Sequence, residues 1–151
     1  MDVIITREPP EVDVSRMRGC GVIGIDGDNG AGKSTLAHEL VQMIGGSVIS
    51  VDDFLSGNGM AYSSQLDLPN LSKKIKAAEE PIIVEGVLLL DVLDRLGITL
   101  DLMIFAKCEF DGITKYGEQR EITDYYKRRK PAKLAQLTVT LHVQLKGCMT
   151  P

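Results

Sequence analysis

The run Gly21-Val22-Ile23-Gly24-Ile25-Asp26-Gly27-Asp28-Asn29-Gly30-Ala31-Gly32-Lys33-Ser34-Thr35 carries a strand-length apolar piece straight into a glycine-rich loop ending in Lys-Ser. Residues 27–34 fit G-x-x-x-x-G-K-[ST], the P-loop pattern, in which glycines let successive backbone N–H groups turn inward around a phosphate without Cβ clashes. The context that the pattern needs is present. Leu36, Ala37, Leu40, Val41 and Ile44 share one helical face, and Gly45-Gly46 stops the helix. Gly27, Asp28, Asn29, Gly30, Ala31, Gly32, Lys33, Ser34 and Thr35 are therefore the candidate nucleotide-binding residues. Lys33 would reach the β and γ phosphates of ATP, Ser34 would offer its hydroxyl to Mg²⁺, and the helix dipole would favour the anion.

The chain has 151 residues, enough for one domain with a proper core. Its 17 basic and 21 acidic residues give a net charge of −4, so no global field attracts nucleic acid or an anionic membrane. Any anion site must be local. Cys20, Cys108 and Cys148 are odd in number and widely spaced, which argues against a disulfide framework or a zinc site and suits a reducing cytoplasm. No apolar run approaches the length of a membrane span, and the first residues lack the order of a signal peptide. A soluble, cytoplasmic protein is expected, with a small-molecule acceptor as partner, no nucleic acid or membrane, and room for a homo-oligomer.

Residues 1–19 read as an N-terminal extension, with Val3-Ile4-Ile5 as a possible extra edge strand. After the P-loop helix, Ser47-Val48-Ile49-Ser50-Val51 reads as a β-branched strand that delivers Asp52-Asp53-Phe54 to its carboxyl end. In open α/β sheets ligands sit beyond those ends, which puts this acid on the side of the P-loop. Asp52 is the candidate general base toward an acceptor hydroxyl, or a partner of Mg²⁺; the alternative is a carboxylate that caps the next turn. Ser56-Gly57-Asn58-Gly59 is a loop, and the segment 60–68, with Tyr62, Gln65 and Asp67, either lines an acceptor pocket or only connects. A helix then opens at Pro69, with Leu71, Ile75 and Ala78 on its apolar face.

Ile82-Ile83-Val84-Glu85-Gly86-Val87-Leu88-Leu89-Leu90 is the most apolar run, as expected of a central parallel strand. Glu85 interrupts it. An unpaired buried carboxylate costs several kcal/mol, so Glu85 should either sit at the strand's exposed end or have a partner such as phosphate-bound Mg²⁺. Gly86 is consistent with the chain turning where a ligand comes close. Residues 89–96 fit a short helix with Asp91 and Arg95 as an i,i+4 pair, and 100–106 fit a fourth strand. The highly charged stretch 107–133 reads as a lid-like segment whose Lys115, Arg120, Lys127, Arg128 and Arg129 are candidate cations over a transferring phosphoryl group, although charge runs usually just face water. Alternation over 137–145 predicts a final strand at a sheet edge, with His142 on the polar register.

The order of P-loop, then Val51-Asp52-Asp53-Phe54, then Ile83-Val84-Glu85-Gly86-Val87-Leu88, resembles the uridine kinase and phosphoribulokinase group of P-loop kinases, over most of 21–106. Further on, Tyr126, Arg128, Arg129, Pro131 and Ala135 are similar to the segment before the last strand in some bacterial members. The resemblance implies that Asp52 takes the acceptor's proton, with Phe54 as its aromatic neighbour, and that Glu85 lies near Mg²⁺ and substrate. The departures are a shorter acceptor segment and no arginine-rich helix directly after the fourth strand, where Lys107-Cys108-Glu109-Phe110-Asp111-Gly112 stands and Arg120 is a displaced substitute. The expected fold is a three-layer α/β P-loop NTPase domain over 20–151, with a mostly parallel sheet of about five strands. The expected activity is transfer of a phosphoryl group from Mg-ATP to a small-molecule hydroxyl, with Lys33, Asp52 and Arg120 as catalytic residues and Ser34, Glu85 and Asp52 toward the metal. The rival expectation is a nucleotide-binding regulatory module.

Overall fold

Two kinds of apolar pattern, strand runs and helical stripes, alternate along the chain and make a sheet covered on both faces. The computed structural model describes residues 2–7, 13–28, 30–56, 61–110, 113–115 and 120–146. In chain order the elements are β1 (Asp2–Arg7), α1 (Val14–Arg18), β2 (Val22–Gly27), α2 (Lys33–Ile44), β3 (Ser47–Ser50), α3 (Leu68–Ala77), β4 (Ile82–Gly86) and α4 (Leu89–Leu96). There follow β5 (Leu102–Phe110), β6 (Ile113–Lys115), α5 (Arg120–Arg129), α6 (Pro131–Leu134) and β7 (Leu137–Lys146). Short 3-10 turns occupy Val51–Phe54 and Tyr62–Ser64.

The strand order is β1-β7-β5-β2-β4-β3, with β6 hydrogen-bonded to β5. The five strands β7, β5, β2, β4 and β3 run parallel, and β1 and β6 add antiparallel pairs. This is the α/β P-loop NTPase architecture. Because side chains alternate across a strand, Ile23, Ile25, Ile83, Ile104 and Ala106 face α1 and α2, where they meet Met17, Leu36, Ala37, Leu40 and Ile44. Ile49, Ile82 and Val84 take the other face with Leu71 and Ile75 of α3 and Leu89, Val92 and Leu93 of α4. Each wholly buried leucine or isoleucine in these layers contributes about 1.5–3 kcal/mol.

Local chemistry fixes where the elements begin and end. Gly45 (φ 81°) ends α2 and Gly97 (φ 69°) ends α4, both in conformations that suit glycine. The Asp67 side chain accepts from the N–H of Asn70 and starts α3. Asp101 joins the starts of β2 and β5, its Oδ2 accepting from the N–H groups of Gly21 (2.8 Å) and Val22 (3.0 Å).

Three expectations change. Strand β7 is not at an edge, because β1 pairs along it from Asp2 opposite Lys146 to Arg7 opposite Leu141. The stretch 1–19 is part of the domain wherever it is described, since it supplies β1 and α1, and Met17 is buried in the core. Asp91 accepts from Arg128 (2.9 and 2.5 Å) and Arg129 (3.1 Å), which reach it from α5. Finally, 107–133 is not a single lid: residues 107–110 continue β5, and α5 seats Ile122 and Tyr125 in a third apolar cluster with Val87 and Leu88. Charge density along the sequence hid those two inward-facing side chains.

Candidate active site

Strand β2 ends at Gly27, where β2 and β5 approach so closely that a Cβ would lie 2.2 Å from the Ala106 carbonyl oxygen. The loop then takes left-handed conformations at Gly30 (φ 79°) and Gly32 (φ 78°), and a Cβ at Gly30 would point into open space. Asn29 lies outside the described residues. Gly32 is the N-cap of α2 and provides no side-chain hydrogen bond to the helix's first turn. Uncapped first-turn N–H groups and alternating left-handed glycines together form a concave set of donors suited to an anion. Ser34 and Thr35 are exposed on that first turn.

Lys33 is buried and its Nζ donates to the Asp28 carbonyl at 2.6 Å. Burial pushes the ammonium pKa down, while Glu85, Asp26, Asp52 and Asp28 oppose the shift in that order of strength. The charges of four carboxylates, from β2, the loop after it, β4 and the turn after β3, thus act on one cation. Glu85 is buried in the middle of the sheet, on β4 between Ile25 of β2 and Ser50 of β3. Gly86 beside it has a different neighbour from the ligand expected: a Cβ there would meet Val51 Cβ at 2.9 Å, so the glycine lets the turn after β3 pack against β4.

That turn presents Asp52 and Asp53, both exposed, in different directions. The charge of Asp52 acts on Lys33, and its Oδ1 accepts from the Tyr62 hydroxyl at 2.6 Å. Asp53 instead lines a groove of about 650 Å³ with Phe54, Asp67, Asn70, Lys73 and Lys74, on the α3 side. Tyr62 is largely buried, and burial, then the bond to Asp52, raises its hydroxyl pKa. It therefore stays a donor. The segment 61–67 returns onto the acid's turn through Ser56 N–H to the Gln65 carbonyl and Asp67 N–H to the Phe54 carbonyl, both 2.8 Å. Residues 57–60, which include most of the expected loop, lie outside the described residues.

Asp26 was overlooked. It sits on β2 just before the loop, wholly buried, with its Oδ1 accepting from Gly27 N–H at 2.8 Å and its Oδ2 from the Tyr125 hydroxyl. Burial pushes its pKa up to about 6, against the bonds from Tyr125, Gly27 and Leu89 and the charge of Lys33. The argument that singled out Glu85, an acid inside an apolar strand, applied equally to Asp26. Tyr125 had no comparable local signal, since its partner is 99 positions away.

Among the described residues, the expected lid cations are engaged elsewhere. Arg120 has a side chain 94% exposed and 3.7 Å from Asp124, and Arg128 and Arg129 grip Asp91 and Asp94. Lys127 lines a separate cavity of about 360 Å³ beside Phe105, Tyr126 and Pro131, and the Lys115 side chain lies outside what the structure describes. For a metal ion, no group of three or more His, Cys, Asp or Glu that could hold one occurs among the described residues. Magnesium does not require such a cage, because it keeps several waters and takes one or two carboxylates together with substrate phosphates. The hard oxygens of Ser34, Glu85 and Asp52 near a phosphate-shaped loop fit that chemistry.

Among solved structures, a possible uridine kinase from Bacillus stearothermophilus matches with a TM-score of 0.53 and 20% identity, over 78% of this chain and 86% of that one. The two share a fold. No family model matches the sequence, and no curated protein is significantly similar to it. Among the described residues no helix is long and apolar enough to cross a membrane.

Proposed function

We propose that the protein is an ATP-dependent phosphotransferase that moves the γ-phosphoryl group of Mg-ATP to a hydroxyl of a small molecule, a nucleoside or a sugar phosphate. The observation that carries this reading is the position of Lys33, buried beneath the loop yet within electrostatic reach of an exposed acid, Asp52, that a tyrosine holds. Polyphosphate binding and proton removal are thereby set side by side. The loop N–H groups and Lys33 bind the phosphates, and Ser34 and Glu85 serve the metal. Magnesium supplies neutralisation of the charge that develops on the transferring group. Tyr62 occupies Oδ1 of Asp52, and the other oxygen, Oδ2, takes the acceptor's proton. The nucleoside preference draws on the likeness to the possible uridine kinase.

The test is ADP release from Mg-ATP across nucleosides, sugar phosphates and small alcohols, with Lys33→Ala as control. A stimulation by one acceptor, lost in that variant, is expected. Asp52→Asn should lower acceptor-dependent turnover by about 100-fold or more while ATP affinity changes little, as befits loss of a general base. A second reading is a nucleotide-binding regulatory module, favoured by the engagement of Arg120, Arg128 and Arg129 with acids of their own. Tight ATP binding with no acceptor effect would select it.

A further inference from the structure

We infer that helix α5 is a brace that fixes the general base relative to the phosphate loop, with Tyr62 and Glu121 as positioning residues. The inference rests on the phosphotransferase reading for its kinetic consequence, but its structural content stands apart. Glu121 and Tyr125 are four residues apart and so share one face of α5. Glu121 Oε2 accepts from the backbone N–H of Tyr62 at 3.0 Å. The hydroxyl of that tyrosine donates to Asp52. One turn along, the Tyr125 hydroxyl donates to Asp26, the residue that precedes the loop, and accepts from the Leu90 N–H at 3.0 Å. One helix face thus touches both halves of the site.

The brace is anchored against sliding. Ile122 and Tyr125 are buried with Val87 and Leu88, and Tyr62 packs against the same cluster. On the outer side, Arg128 and Arg129 clamp Asp91 and Asp94 of α4. These contacts give the cations of α5 a role different from screening phosphate: they hold the helix whose inward face sets the base. An aspartate on an exposed turn has many rotamers, and an error of about 1 Å in its position costs up to about 100-fold in rate. The chain of contacts from Asp26 through Tyr125, Glu121 and Tyr62 to Asp52 removes that freedom.

The experiment is hydrogen exchange by mass spectrometry, on the full chain, of wild type, Tyr125→Phe, Glu121→Ala and Glu121→Gln, paired with kinetics. Tyr125→Phe removes a hydroxyl bonded to Asp26 and to the Leu90 N–H, neither of them in 61–67, so faster exchange in 61–67, by about threefold or more, is the expected sign of transmission through α5. Glu121→Ala should speed the same segment, and Glu121→Gln, whose amide oxygen still accepts from Tyr62, should restore it. On an acceptor that raises turnover, Glu121→Ala should lower kcat about tenfold with ATP affinity within about twofold. Unchanged exchange across 61–67 in Tyr125→Phe, or equal losses in Glu121→Ala and Glu121→Gln, would overturn the brace. If no acceptor stimulates the wild type, the phosphotransferase reading fails while the exchange result still decides the brace.

Discussion

Asp26 and Glu85 are acids in apolar strands, and the neighbours of Asp26 make its charge a measurable quantity. Its pKa rises from the ordinary 3.8 to about 6, chiefly through burial. A carboxyl whose folded pKa is raised holds its proton more tightly in the native state, so ionising it costs stability. The cost is absent below the unfolded value and fully present above about 6. Over that window it amounts to about 3 kcal/mol, from two pKa units at roughly 1.4 kcal/mol each. Asp26→Asn cannot ionise. Its stability relative to wild type should therefore climb as pH is raised from about 4 to about 7, whatever constant loss the amide brings to the bonds with Tyr125 and Gly27. Denaturant melts of both proteins at several pH values read the difference directly, and a flat difference would mean that Asp26 is solvated as an ordinary carboxylate.

The elements around the loop separate a glycine held in place by packing from one with open space around it. At Gly27 the obstacle to a side chain is backbone, the Ala106 carbonyl of β5, which cannot swing aside. Gly27→Ala should cost about 3 kcal/mol or more, because β2 and β5 must part. Gly30 has a left-handed φ but open space around it, so Gly30→Ala should cost only about 1–2 kcal/mol of stability. The fall in melting temperature for each, measured by calorimetry, should differ by several degrees; similar falls would show that β2 and β5 can relax apart. This contrast also shows what the chain order discloses. The loop, the β2 and β4 runs, the α2 stripe and the acid after β3 were all legible, because each depends on residues within one or two turns of one another. The use of α5 was not. Its Tyr125 and Glu121 find partners 99 and 59 positions away, and its arginines choose acids on α4 that no spacing rule pairs with them. A run of charges reads as a lid from composition alone, whereas the two inward side chains that make it a packed helix are too few to register as a stripe.

Across the whole molecule, parallel strands deliver Asp26, Glu85 and the turn bearing Asp52 to one side of the sheet, where the loop opens. Strand order is the one large feature that residue patterns left open: β7 became an interior strand because residues 2–7 complete its far side. On the proposed reading, nucleotide binding would be a global event, since the loop joins β2 to α2 and both are central to the core. A ligand that binds only the native state stabilises it by RT ln(1 + [L]/Kd), about 2.7 kcal/mol at a hundredfold excess over Kd. In a domain of this size that corresponds to a rise in melting temperature of roughly 5–10 °C. On that reading Mg-ATP should produce such a rise in wild type and in Asp52→Asn, whose acid is assigned to the acceptor and not to the phosphates. Lys33→Ala should lose most of it, because the cation that the loop folds over is gone. An undiminished rise in Lys33→Ala would place ATP elsewhere on the surface, and an equal loss in Asp52→Asn would make that acid part of the nucleotide site and no longer the base for an acceptor.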